Sequence, residues 1–176
     1  MRSAVQGREP EEVFDPAFWR AALGARVERI LGPIYLGYKD IADECPFDPH
    51  VRLLRVDEGA LLDHLRHCVA SLEWEHSGLE DGQPIAGYFL DGELVAAAGY
   101  KVWGWTLAHI GVTTHIGYRS QGFGRECVQR IAEEAIKRGL VAQYQTLFEN
   151  EPSIAVAQAL EFEEYGQRLF VRCNAT

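Results

Sequence analysis

The sequence predicts an α/β chain (an α+β mixed sheet), with a central mixed sheet flanked by helices. Three observations carry this. Residues 85–90 and 93–102 are apolar runs joined by Asp91-Gly92, a favoured two-residue hairpin turn. The hydrophobic period then changes. Across residues 122–138, Phe123, Cys127, Val128, Ile131, Ala132, Ala135 and Ile136 fall on one helical face. Finally, the chain alternates strand and helix to its end, which calls for a sheet covered by helices.

The elements follow in order. A helix is predicted over residues 16–31, with Asp15 as N-cap, Pro16 at the first helical position, and Phe18, Trp19, Leu23, Val27, Ile30 and Leu31 at helical spacing. Gly32-Pro33 reads as its stop. Residues 34–38 and 51–56 read as strands around a loop over 40–49. Asp57 is predicted to cap a helix carrying Leu61, Leu62, Leu65, Cys68, Val69 and Leu72. Turn-rich residues 77–84 precede the hairpin. A third strand over 107–114 completes an antiparallel meander, and Trp103 and Trp105 at its end read as core. After the helix of 122–138, stopped by Gly139, come a strand over 141–148, a helix over 152–160 and a closing strand over 168–173. Phe162 and Phe170 read as core.

Composition narrows the function. With 176 residues, 47% hydrophobic, the chain can build one domain with a sizeable core. A net charge of −9 argues against nucleic-acid binding. The first 100 residues hold 18 acidic and 9 basic side chains and the remainder 8 of each, so the N-terminal part is the one that would attract a cation. No apolar run is long enough to span a membrane, and the first residues lack the apolar run of a secretory signal, so a cytoplasmic protein is expected. Cys45, Cys68, Cys127 and Cys173 lie far apart without a C-x-x-C pair, which reads as reduced, mostly buried thiols and no metal site.

The chemistry concentrates in residues 109–124. There a strand ends in a loop, Arg119-Ser120-Gln121-Gly122-Phe123-Gly124, from which a long helix starts. A helix N-terminus offers unpaired N–H groups and partial positive charge, and glycines let an anion approach the backbone. The construction suits a pyrophosphate. It is not a P-loop, since no Gly-Lys-Ser/Thr follows, and it lacks the third glycine and distal acid of a dinucleotide fingerprint.

Arg119-x-x-Gly122-x-Gly124 resembles the R/Q-x-x-G-x-G/A motif of the GNAT N-acetyltransferase superfamily. Val112-Thr113-Thr114-His115 with Tyr118-Arg119 is similar to the V-x-T-H-P-x-Y-R strand exit of many members. Asn150-Glu151-Pro152-Ser153, then Ala157, Leu160 and Phe162, resembles the N-x-x-S/A…A…L-G-F block that follows one helix and one strand later. The likeness covers about residues 85–173. It implies a single GNAT-like acyl-CoA N-acyltransferase domain over 1–176, with an acetyl-CoA-binding core over 85–173 and an N-terminal helical, acceptor-side part over 1–80.

The resemblance further implies that Val112, Thr113 and Thr114 pair with the pantetheine arm. Arg119, Ser120, Gln121, Gly122, Phe123, Gly124 and Arg125 would hold the pyrophosphate, and Asn150 and Ser153 would lie near the thioester. Two departures stand out. Where many members place a tyrosine that acts as general acid, this chain has Ala157, and at the following glycine it has Glu161. Ser153, Tyr144, a water or unassisted departure remains for that role. The acceptor amine needs a base, and His109, His115, Glu73, Glu75 and His76 are candidates, His109 foremost because the resemblance puts it where some members place a carboxylate base. Trp74, Glu75 and His76 read as an acidic, aromatic wall for a cationic acceptor. The expected activity is transfer of acetyl from acetyl-CoA, without a metal, to a small cationic amine such as a polyamine or aminoglycoside-like metabolite. An acyl-CoA-sensing module without turnover and a protein amine acetyltransferase are the alternatives. No nucleic acid or membrane partner is expected, and a homodimer through the final strands is compatible with the resemblance.

Overall fold

The structure, a computed structural model, describes residues 5–43 and 46–174. Cys45, expected as a reduced thiol, lies outside them. Helix α1 (Pro10–Val13) and helix α2 (Pro16–Leu23) open the chain, and Asp15 caps α2 as predicted, its carboxylate accepting from Ala17 N–H at 2.8 Å. The helix does not reach residue 31. Gly24, at φ 55°, ends it, and one 3₁₀ turn leads into strand β1 (Val27–Lys39). Val27, Ile30 and Leu31 suit a strand as well as a helix, and pairing with the last strand of the chain decides in favour of the strand. Gly32-Pro33 is therefore not a helix stop but an interruption within β1, where the register against the last strand slips between Leu31 and Ile34.

Strand β2 is shorter than predicted, Val51–Leu53, because a 3₁₀ turn takes Val56–Glu58. The single helix expected after Asp57 is two, α3 (Gly59–His67) and α4 (Ser71–Ser77), and Asp57 caps neither. The break at Cys68–Ala70 leaves Leu72 exposed and lets Cys68 C=O accept from Ile116 N–H at 3.3 Å. Strands β3 (Ile85–Leu90), β4 (Glu93–Trp103) and β5 (Leu107–Thr114) form the predicted meander, with Asp91 and Gly92 both at positive φ in its first turn. Helix α5 (Phe123–Lys137), strand β6 (Val141–Leu147), helix α6 (Glu151–Ala159) and strand β7 (Glu163–Cys173) follow, β7 starting five residues earlier than expected.

All seven strands form one sheet in the order β2-β3-β4-β5-β6-β1-β7. The N-terminal part is thus not only helical: it supplies β1 and β2. Strand β5 runs parallel to β6, and every other neighbouring pair is antiparallel. One face buries Tyr35, Tyr88, Ile110, Cys127, Val128, Ile131, Tyr144 and Phe162 beneath α5 and α6. The other buries Leu62, Leu65, Leu79, Ile85, Leu94 and Ala97 beneath α3. Truncating a fully enclosed side chain such as Leu65 or Ile131 to alanine would cost about 2–5 kcal/mol. Three residues expected inside are not: Trp105 and Phe170 are exposed and Trp103 is 43% exposed. Of the thiols, Cys127 is buried, Cys68 half-buried and Cys173 exposed.

Helix α6 ends with Glu161 at φ 57°. Phe162 N–H reaches back to Ala157 C=O at 3.0 Å, the hydrogen bonding of a left-handed helix stop that glycine fills without strain. Glu161→Gly is therefore expected to stabilise the fold by about 1 kcal/mol, read as a raised midpoint in thermal or urea unfolding. An unchanged or lowered midpoint would contradict the strain.

Candidate active site

Strands β5 and β6 pair over four positions, Leu107↔Val141 to Ile110↔Tyr144, and no further. Beyond that point each stays bound to its other neighbour. Gly111 to Thr114 keep their partners on β4, and Gln145 to Leu147 keep theirs on β1. The sheet therefore opens into a cleft whose two walls are the free backbone edges of Gly111–Thr114 and Gln145–Leu147. Such edges can pair with an extended, amide-bearing chain. Gly111 helps seat one wall, because a Cβ there would collide with Ser77 C=O of α4.

The loop after β5 leads to α5. His115, held against Tyr118, accepts from Gly117 N–H at 2.9 Å through Nδ1, so it shapes the loop. Ser120 and Gly122 both have positive φ. Gly122 takes the N-cap position, and no side chain caps the helix. The first N–H groups of this 15-residue helix are thus directed outward without a side-chain acceptor. Gly124 lies so close to β5 that a Cβ would come within 2.8 Å of Thr114 Oγ1. Phe123 offers only its backbone, since its ring stacks on Tyr88 at 4.3 Å. Ser120, Gln121 and Arg125 are exposed. Glu73 of α4 holds Arg119 Nη2 at 2.6 Å, and Glu126 holds Arg125 at 2.9 Å. Uncapped N–H groups, two flanking cations and close-packed glycines fit a pyrophosphate.

At the closed end of the cleft, two consecutive residues of β6 face opposite ways. Gln143 is enclosed on the α3/α4 face and donates from Nε2 to Tyr38 Oη at 2.8 Å. Its Oε1 is 3.1 Å from His109 Nδ1, so His109 donates there and keeps its lone pair on Nε2. Trp103 stacks on the imidazole at 3.9 Å. Burial pushes the His109 pKa below the usual histidine range. The Gln143 contact opposes that shift, and the charges of Arg168 and Lys101 add to it. The imidazole is therefore unprotonated at neutral pH, with Nε2 free to accept a proton.

Tyr144 faces the α5/α6 side, with its hydroxyl 2.8 Å from Ser153 Oγ. Burial raises the phenol pKa, so it stays protonated. Asn150 caps α6, its Oδ1 accepting from Ser153 N–H at 3.3 Å. Ala157 is fully buried and supplies no proton.

Not every expected residue gathers here. Trp74 and Glu75 line a cavity of about 430 Å³ between α3 and α4, with Asp63, Arg66, Glu80 and Asp81. Neither His109 nor the loop contributes to it. His76 is exposed and outside it. Glu80 of the cavity wall holds Lys101 at 2.6 Å, and Lys101 pairs across the sheet with His109. Sequence reasoning missed Gln143 as the partner of His109 and Tyr38 as the partner of Gln143, because those contacts depend on which strands lie beside one another in the sheet. Among the described residues no cluster of His, Cys, Asp and Glu could hold a metal, and no helix is long and apolar enough to cross a membrane.

The profile of the Acetyltransferase (GNAT) family matches residues 48–162. Among solved structures, a GNAT-family protein from Novosphingobium aromaticivorans is 21% identical, with a TM-score of 0.66 over 85% of this chain and 68% of that one. A GNAT-family acetyltransferase from Colwellia psychrerythraea is 11% identical, with a TM-score of 0.65 over 89% of this chain and 61% of that one. The aminoglycoside N-acetyltransferase AAC(6')-Iy, in complex with CoA, is 18% identical, with a TM-score of 0.52 over 71% of this chain and 99% of its own. Among curated proteins none matches the sequence.

The charges around His109 give a test. Lys101→Met removes a cation that opposes protonation of the imidazole. The His109 ring resonances are expected to titrate below the usual histidine range in the parent protein and at higher pH in the variant, followed by NMR. A downward move would contradict the electrostatics described.

Proposed function

Because the chain belongs to the GNAT family of acetyltransferases, we propose that it transfers the acetyl group of acetyl-CoA to a primary amine, at the closed end of the cleft between β5 and β6. The observation that carries this reading is the placement of a neutral histidine and a protonated tyrosine on opposite faces of the sheet at the point where the strands part. The family match and the likeness to an acetyltransferase in complex with CoA support the coenzyme.

The coenzyme supplies an acetyl thioester. In this reading the Gly122–Arg125 backbone and Arg119 hold its pyrophosphate, with Ser120, Gln121 and Arg125 at the rim. Arg119 exchanges Glu73 for phosphate oxygen. The edge of Val112, Thr113 and Thr114 pairs with the pantetheine amides, and Asn150 sets Ser153. His109 accepts a proton at Nε2 from the amine as its nitrogen bonds to the acetyl carbon. As the carbon–sulfur bond breaks, Tyr144 gives its proton to the leaving sulfur, and solvent restores it through Ser153. Tyr144 thus takes the role left open by Ala157, which weighs against a sensing module without turnover.

The acidic cavity beside Trp74 and Glu75 supports a small acceptor whose ammonium is drawn towards α3 and α4. Strand β7 ends the sheet with one edge unpaired among the described residues, which supports a homodimer through that edge.

Acetyl-CoA and CoA are expected to raise the melting temperature and ATP not to, with the shift lost in Gly122→Glu. His109→Ala should lower kcat about 100-fold, and Tyr144→Phe about tenfold or more, without loss of coenzyme binding. Absence of any shift with either CoA compound would overturn the reading.

A further inference from the structure

Three buried side-chain atoms have no hydrogen-bond partner among the described residues, and two of them, Thr113 Oγ1 and Gln145 Nε2, lie on the walls of the cleft. The third, Glu133 Oε1, is on α5. Pleating fixes which way the two point. Ala108 and Ile110 of β5 pack into the α5 side, so His109, Gly111 and Thr113 face the α3/α4 side. Gln143 meets His109 on that side, and Gln145, two residues on, shares its face. Thr113 is 3% exposed and lies opposite Ala97, one of the residues buried beneath α3. The two unpartnered groups therefore flank the cleft on the face of the proposed base, and both can donate. Buried donors left unpaired are rare in folded proteins and mark places where something else accepts.

A cation stands on the same face. Arg168 of β7 pairs through its backbone with Ile34, which lies on the Leu36–Tyr38 side of β1 with Gln145 and Gln143. Its charge acts on His109. Lys101, the other cation there, is held by Glu80, whereas Arg168 forms no ion pair among the described residues and lies over the Phe170 ring at 5.4 Å. The face of the sheet that carries His109 thus offers two buried donors and a half-buried guanidinium. That is a poor seat for a polycation and a good one for an oxyanion.

Resting on the acetyltransferase reading, we propose that the acceptor is an amino acid or similar amine bearing a carboxylate, which Gln145 and Arg168 hold while its amine faces His109. Gln145 lies about 7 Å along the strand from the level of His109 and Gln143, a span that a small amino acid and the two side chains bridge. The acidic surface of α3 and α4 draws the ammonium, and the donors fix the opposite end. The neutral form of the amine forms last, where His109 takes its proton.

The test compares amino acids with the amines that lack only the carboxylate: alanine with ethylamine, lysine with 1,5-diaminopentane, phenylalanine with phenethylamine. CoA release is measured with acetyl-CoA in excess. At least one amino acid is expected to exceed its partner about 100-fold in kcat/KM, because buried donors reject an analogue that leaves them unpaired. Gln145→Leu and Arg168→Met should each shrink that ratio below about tenfold, through KM of the amino acid, and Gln145→Leu should leave the KM of acetyl-CoA and turnover of the plain amine unchanged. Equal or faster turnover of the plain amines would overturn the proposal while leaving the acetyltransferase reading intact, as would variants that lower both members of a pair alike. If neither member is turned over, calorimetry with the CoA-saturated protein decides: no amino acid binding overturns the proposal. Absence of any acetyl-CoA-induced shift in melting temperature removes the reading on which it rests.

Discussion

Strand β5 is bound to β4 along its whole length and β6 to β1 along most of its own, yet the two bind each other for only four residues. That mismatch organises the molecule. It leaves two backbone edges facing one another, brings the N-terminus of α5 to the open end, and places Gln143 and Tyr144 at the closed end. Because successive residues of a strand face opposite ways, the same two positions serve both faces. Gln143 orients a basic histidine on the side of α3 and α4, and Tyr144 presents a phenol on the side of α5 and α6. In the proposed reaction, removal and return of a proton would be separated by the sheet itself.

The wall formed by β6 depends on a strand remote in sequence. Residues 27–39 lie before the segment matched to the family, and they insert between β6 and β7. Their Tyr38 fixes the amide of Gln143, and their Lys39, buried, donates to Leu160 C=O at 2.8 Å. On the other wall, the contact of Gly111 with Ser77 couples β5 to α4, whose Glu73 reaches Arg119 of the loop proposed to hold the coenzyme. The proposed acceptor side and the proposed coenzyme side are thus joined through one short helix.

The legibility of the sequence followed the range of the interactions. The Asp91-Gly92 hairpin, the Asp15 cap, the glycine stop of α5 and the Arg119–Gly124 loop rest on neighbours within a few residues, and each was readable. Residues 27–31 were misread because their apolar spacing suits two periods, and only pairing with β7 selects one. Cys68–Ala70 broke a predicted helix for a tertiary reason, the turn that brings Cys68 C=O to Ile116. Within the site, His109 was legible as a residue of suitable chemistry on a strand that borders the cleft. Its Gln143–Tyr38 support was not, nor was the separation of Trp74 and Glu75 into a cavity of their own, since both depend on how distant strands and helices meet.

A crystal structure of the protein with bound CoA tests the central claim most directly. The account predicts pantetheine lying along Val112–Thr114 in the cleft, pyrophosphate oxygens on the Gly122–Arg125 N–H groups, Arg119 turned from Glu73 to phosphate, and the sulfur within reach of the Tyr144 hydroxyl. A coenzyme bound elsewhere, or a sulfur placed far from Tyr144 with the cleft closed by strand pairing, would contradict it.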